Sequence, residues 1–212
     1  MEFKKLLEIA GDEPVFETGL LLAGSVNADD VRRQLSRWVR AGHLYQLRRG
    51  LYTLAPPFQK IRPHPFLLAN HLRSGSYVSL QSALAFHGLI PEYVPLVTSV
   101  TTARPAHWDT PLGSYSFRHI KPGLFHGYQR MEVSPGQWAF VARPEKALLD
   151  LIYLQPGGGS PHYLQELRLQ NLDCLDPDEL AHLAGQMDSH KLRLAADVVI
   201  NLARAEAEYE TL

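Results

Sequence analysis

Residues 28–41 (ADDVRRQLSRWVRA) split into two faces when placed at helical spacing. Val31, Leu35, Trp38 and Val39 fall on one side; Arg32, Arg33, Ser36, Arg37 and Arg40 fall on the other. A helix of this kind buries its apolar side against neighbouring helices and turns its arginines to solvent. Directly after it, apolar residues alternate on both sides of Arg48-Arg49-Gly50, in HLYQL before and LYTL after. That alternation around a glycine-containing turn predicts a β-hairpin with arginines at its tip.

The residues upstream supply the packing partners. EFKKLLEIA at 2–10 places Phe3, Leu6, Leu7 and Ile9 at helical spacing and predicts a first helix. A second short helix is expected over about 17–23, with Gly24-Ser25 as a turn. Asn27 is the expected N-cap of the arginine helix, and Asp30 three residues later resembles a capping box. Gly42 is its expected stop. Three helices followed by a basic hairpin predict a winged helix-turn-helix over residues 1–56, with the outward helix suited to a major groove and the hairpin to the flanking backbone.

Charge placement supports a polyanionic partner. From Val31 to Pro91 there is no aspartate and no glutamate, against nine lysines and arginines. Residues 150–212 show the reverse, eleven acids against four bases, so the net charge of −1 conceals a basic front and an acidic back. Nucleic acid is the natural partner for the front. Arg32, Arg33, Ser36, Arg37, Arg40, Arg48 and Arg49 are the expected DNA-binding residues. Asp29 and Asp30 lie at the end of the helix that usually enters the groove, where they repel phosphate or accept from a cytosine amino group.

Beyond residue 56 the pattern mixes. Residues 57–63 form the expected linker, with IRPHP adding two prolines. Residues 64–155 predict a mixed α/β domain. Its helices are expected at 64–73 and 79–88, the second capped by Ser79. Its strands are expected at 95–103, 114–120, 124–133 and 137–142, and a further helix opens at Pro144. PGGGSP breaks the chain at 156–161, and residues 156–212 form a helical extension. The expected class is α+β.

Other chemistry is weakly signalled. Cys174 stands alone, which excludes an internal disulfide framework and a cysteine-rich zinc site. No apolar run reaches the roughly 18 residues that cross a bilayer, and the first residues lack a signal core, so a cytoplasmic protein with no membrane partner is expected. His107, His119 and His126 share a region but lack metal-ligand spacing, and no metal or cofactor is expected. Glu145 and Lys146, with Asp109, are the candidates if the chain is instead a metal-dependent nuclease. A winged helix that binds protein is the third alternative.

Several segments in order then carry a family resemblance: RRGLYTL, SLQSALAFHGLIPE, TSVTTARP, SYSFRHIKPGLF and FVARPEKALLDLIYL. Over roughly residues 5–155 the chain resembles the AbiEi family, the antitoxin and transcriptional regulator of type IV toxin–antitoxin systems in abortive phage infection. The resemblance implies a non-enzymatic autorepressor that binds inverted repeats, as a homodimer on DNA, and counters a nucleotidyltransferase-type toxin. It assigns DNA reading to the same arginines. The tail from Gly157 matches no pattern of that family.

Overall fold

The computed structural model describes residues 2–22, 27–187 and 189–210, the last four as backbone only. The expected turn at Gly24-Ser25 lies outside the described residues. The architecture is mixed α+β, with two sheets of three and six strands.

The first sheet belongs to the N-terminal unit. Helix α1 (Phe3–Ala10) is followed by a two-residue strand β1 (Phe16–Glu17) and a 3-10 turn (Thr18–Leu22). That turn takes the place of the expected second α-helix, and β1 is an addition to the expected elements. Phe16 and Glu17 pair antiparallel with Tyr52 and Leu51, and this takes the chain out of helical geometry. Helix α2 (Ala28–Arg40) starts at Asn27, whose side-chain oxygen accepts from the amides of Asp29 (2.9 Å) and Asp30 (3.2 Å). This meets two of the free donors of the first turn. The reciprocal half of a capping box is missing, because the Asp30 carboxylate pairs with Arg33. Strands β2 (Leu44–Arg48) and β3 (Leu51–Leu54) form the hairpin, and the sheet order is β1-β3-β2. Gly50 takes φ +83° at the turn, a conformation that costs a side-chain-bearing residue.

Leu6, Phe16, Leu21, Val31, Leu35 and Trp38 make one apolar cluster beneath α2. The opposite face of the hairpin is not solvated. Leu47 and Leu51 join the larger cluster of the second unit, so the two units share a packed seam. The 57–63 segment is held at its middle and near its C-terminal end. Lys60 pairs with Asp12 (2.9 Å), and the Arg62 carbonyl accepts from Gln137 (3.1 Å).

The second unit runs α3 (Pro65–Leu72), β4 (Ser76–Val78), α4 (Leu80–Phe86), β5 (Val97–Thr101), β6 (Ala106–Thr110), β7 (Gly113–His119), β8 (Tyr128–Ser134), β9 (Gln137–Ala142) and α5 (Pro144–Leu154). Its sheet order is β6-β7-β5-β4-β9-β8, with β4–β9 and β5–β7 parallel. Helices α6 (Pro161–Glu166), α7 (Pro177–Gln186) and α8 (His190–Glu210) follow. Helix α7 is capped by Asp176, which accepts from Asp178 and Glu179. Ser79 occupies the N-cap position of α4 but makes no capping bond. Its hydroxyl donates instead to Asp150 at 2.8 Å.

Candidate nucleic-acid interface

The 3.6-residue repeat of α2 buries Val31, Leu35 and Trp38 and leaves Arg32, Arg33, Ser36, Arg37 and Arg40 exposed. Those five side chains line one shallow depression of ≈ 390 Å³. The structure therefore gathers the helix residues singled out from sequence. Arg49 is exposed at the hairpin turn.

The first-turn acids of α2 pair with two of these arginines. Arg32 pairs with Asp29 (3.0 Å), and Arg33 pairs with Asp30. Both are i,i+3 pairs on one exposed helix face, so each gives only a few tenths of a kcal/mol. They still neutralise half of the helix's arginine charge. Arg48 is also engaged. Its Nη2 meets Glu17 at 3.0 Å, and its Nε donates to the His71 carbonyl at 3.2 Å. The acid-free run of sequence thus receives a carboxylate from β1, upstream of it. Among the described residues, Arg37, Arg40 and Arg49 have no ion pair and no side-chain hydrogen bond.

Residues unremarked in sequence gather near the anchor of Arg48. Trp138 and Phe140 are 43% and 45% exposed on β9, with the Arg130 guanidinium 4.7 Å above the Trp138 ring. Together with Asn70 and His71 they border a depression of ≈ 310 Å³. His71 is the residue whose carbonyl holds Arg48. Alternate apolar positions at 138 and 140 of a strand are the signal that sequence offers for them.

The nuclease candidates are not brought together. Asp109 is exposed on edge strand β6, bonded to His107 (3.2 Å) and Ser114 (2.6 Å). The Ser114 hydroxyl, then nearby His107, hold its carboxyl below the usual range. Glu145 is buried, and its carboxylate accepts from the Asp176 amide at 2.8 Å, tying α5 to the start of α7. Lys146 is wholly buried and paired with Asp150. Among the described residues no group of three His, Cys, Asp or Glu could hold a metal ion. No helix among them is long and apolar enough to cross a membrane.

The fold defines an α+β protein in which a small helical unit with a three-stranded sheet precedes a six-stranded mixed sheet. That architecture resembles the crystal structure of the RV2827C protein from Mycobacterium tuberculosis, with a TM-score of 0.57, 15% identity, and 94% of this chain and 76% of that chain covered. At that identity the likeness shows the fold alone. No family model and no curated protein matches the chain.

Proposed function

We propose that the N-terminal unit is a winged helix that binds double-stranded DNA, and that the chain is a repressor of its own promoter. The observation that carries this reading is the trio Arg37, Arg40 and Arg49: exposed and unpaired, they lie on one helix and the hairpin after it. The order of α1, β1, the 3-10 turn, α2 and the β2–β3 hairpin supports it, because α2 is then the helix presented to a groove and Arg49 the residue at the backbone. Ser36 lies between the arginines and can donate to a phosphate. Arg32 and Arg33 contribute after releasing Asp29 and Asp30.

The antitoxin role, against a nucleotidyltransferase-type toxin, is supported by the AbiEi-like motifs from SLQSALAFHGLIPE to FVARPEKALLDLIYL. On this reading the chain is a cytoplasmic binding protein rather than an enzyme, and an inverted-repeat operator takes two copies. A second reading, a protein-binding module, is favoured by the exposed Trp138 and Phe140.

The test is fluorescence anisotropy on a duplex carrying the chain's own promoter region, titrated at several salt concentrations. Affinity falls with salt, and removing one arginine that neutralises a phosphate lowers the log–log slope by about 0.9. Alanine at Arg37, Arg40 and Arg49 together abolishes binding. Unchanged affinity in that triple variant ends the DNA reading. Salt-insensitive capture of a protein, abolished by Trp138→Ala, selects the second.

A further inference from the structure

A concavity of the second unit shares no residue with the arginine helix. It measures ≈ 630 Å³ and lies between α3, α4, the 90–97 segment and the start of β7. That volume is in the range of small-molecule sites, roughly 300–1,000 Å³. Phe66, Ala85, Phe86, Ile90, Val94 and Leu112 form its apolar walls.

Its polar groups are unevenly satisfied. The Ser82 hydroxyl donates to the Leu96 carbonyl at 3.1 Å, and the Ser114 hydroxyl donates to Asp109. Glu92, the one carboxylate of the wall, lies 3.9 Å from Arg168. Besides the exposed Tyr93 hydroxyl, three donors are left over. Tyr115 is 0% exposed, and its hydroxyl has no hydrogen-bond partner. That hydroxyl sits against the Gly113 stretch of the wall, where a Cβ would come within 3.9 Å of it. An orphaned buried hydroxyl costs about 1–3 kcal/mol, so its retention calls for a cause. The Nδ1 of His64 accepts from the Phe66 amide at 3.2 Å, which puts the proton of the neutral ring on Nε2. Burial lowers the pKa of this imidazole and keeps it neutral. Arg62 is exposed at the mouth and has no ion pair among the described residues. Apolar walls with unmet donors fit a ligand that is apolar in body and rich in acceptors.

We propose that this cavity binds a small organic carboxylate with an aromatic or branched-aliphatic body, whose oxygens take the free donors of Arg62, His64 and Tyr115. The carboxylate pairs with Arg62 at the mouth, and the body lies against Phe66, Phe86 and Leu112.

The experiment is calorimetric titration of the full chain with phenylacetate, phenylpyruvate and 4-methyl-2-oxopentanoate, with phenylacetamide and phenethylamine as neutral and cationic counterparts. At least one carboxylate binds saturably at one to one, the amide binds at least about tenfold more weakly, and the amine does not bind. Arg62→Gln removes the preference for carboxylate over amide. Tyr115→Phe weakens every oxo-acid severalfold while its thermal midpoint stays level or rises, because an orphaned hydroxyl has been removed. That midpoint separates weaker ligand binding from unfolding. No saturable binding of any carboxylate at millimolar concentration overturns the proposal. So does equal binding of acid and amide, or carboxylate binding that is unchanged in Arg62→Gln.

Discussion

Lys146 and Asp150 form an ion pair one turn apart on α5, and both side chains are 0% exposed. The second oxygen of Asp150 accepts from Tyr77 (2.9 Å) and Ser79 (2.8 Å) on and beside β4, so the pair also fastens α5 to the middle of the sheet. The Lys146 ammonium sits 5.7 Å from the Tyr77 ring. Gly127 gives it room, because a Cβ there would come within 2.9 Å of the lysine stem. Burial pushes the Asp150 carboxyl up, while Lys146 and the two hydroxyls pull it back.

Removing one partner strands a buried charge. Lys146→Met therefore costs about 3–5 kcal/mol, read from the urea midpoint. The double variant Lys146→Met/Asp150→Asn recovers much of that loss. The amide oxygen still accepts from Tyr77 or Ser79, and no unpaired charge remains. A double variant as unstable as the single one refutes the charge argument and leaves only poorer packing.

The N-terminal acids of α2 set the second prediction. Asp29 and Asp30 hold Arg32 and Arg33 on an exposed face. Asp29→Asn/Asp30→Asn frees two arginines and removes two like charges from the duplex. Anisotropy should show tighter DNA binding and a steeper salt slope, by up to about 0.9 for each arginine released to a phosphate. Stability falls slightly, since acids in the first turn favour the helix dipole by roughly 0.3–1 kcal/mol each. Weaker DNA binding in this variant instead assigns the two acids to base recognition.

Arg48 and Arg49 are neighbours with opposite roles. Arg48 bonds Glu17 and the His71 carbonyl and so joins the hairpin to both β1 and α3. Among the described residues Arg49 touches no acid. Arg48→Ala should lower stability by about 1 kcal/mol, given a half-exposed ion pair and one charge-assisted bond to a carbonyl. Arg49→Ala should leave stability within about 0.5 kcal/mol and cost more in DNA affinity. Chemical denaturation and anisotropy on the same two proteins check the division. Equal effects of both changes on both measurements argue against it.

Short-range patterns carry much of this structure. The two faces of α2, its Asn27 cap, the Pro177 start of α7 and the break at 156–161 each follow from residues within a few positions of one another. What escapes them depends on distant pairing. β1 is two residues long and exists because Tyr52 and Leu51 lie beside it. Strand β4 is three residues long and buried throughout, so no alternation marks it. Ser79 has the residue type and place of a cap, yet an acceptor 71 positions away takes its hydroxyl. Asp150 reads in sequence as one more acid of the tail, since nothing local marks it as buried. At the arginine surface the positions are legible and the pairing is not: Glu17 reaches Arg48 across 31 residues.

Three histidines with lowered pKa predict a loss of stability in mild acid. Burial lowers the pKa of His64, of His71 and of His126 from the ordinary 6.5. Around His71, Glu17 opposes that shift and Arg48 adds to it. Around His126, Lys146 and His182 add to it while Asp150 and Glu179 oppose it. With folded values below 6.5, the unfolded chain binds more protons between the folded pKa and 6.5. Stability therefore rises with pH through that window, and is lost as pH falls below 6.5 toward the folded values. The urea midpoint should be level above about pH 7.5 and drop steadily toward pH 5.5. His71→Gln should flatten part of that drop, and His64→Gln/His71→Gln/His126→Gln most of it, whatever each change does to the midpoint at pH 7.5. A slope that persists undiminished in the triple variant places the acid sensitivity on other groups.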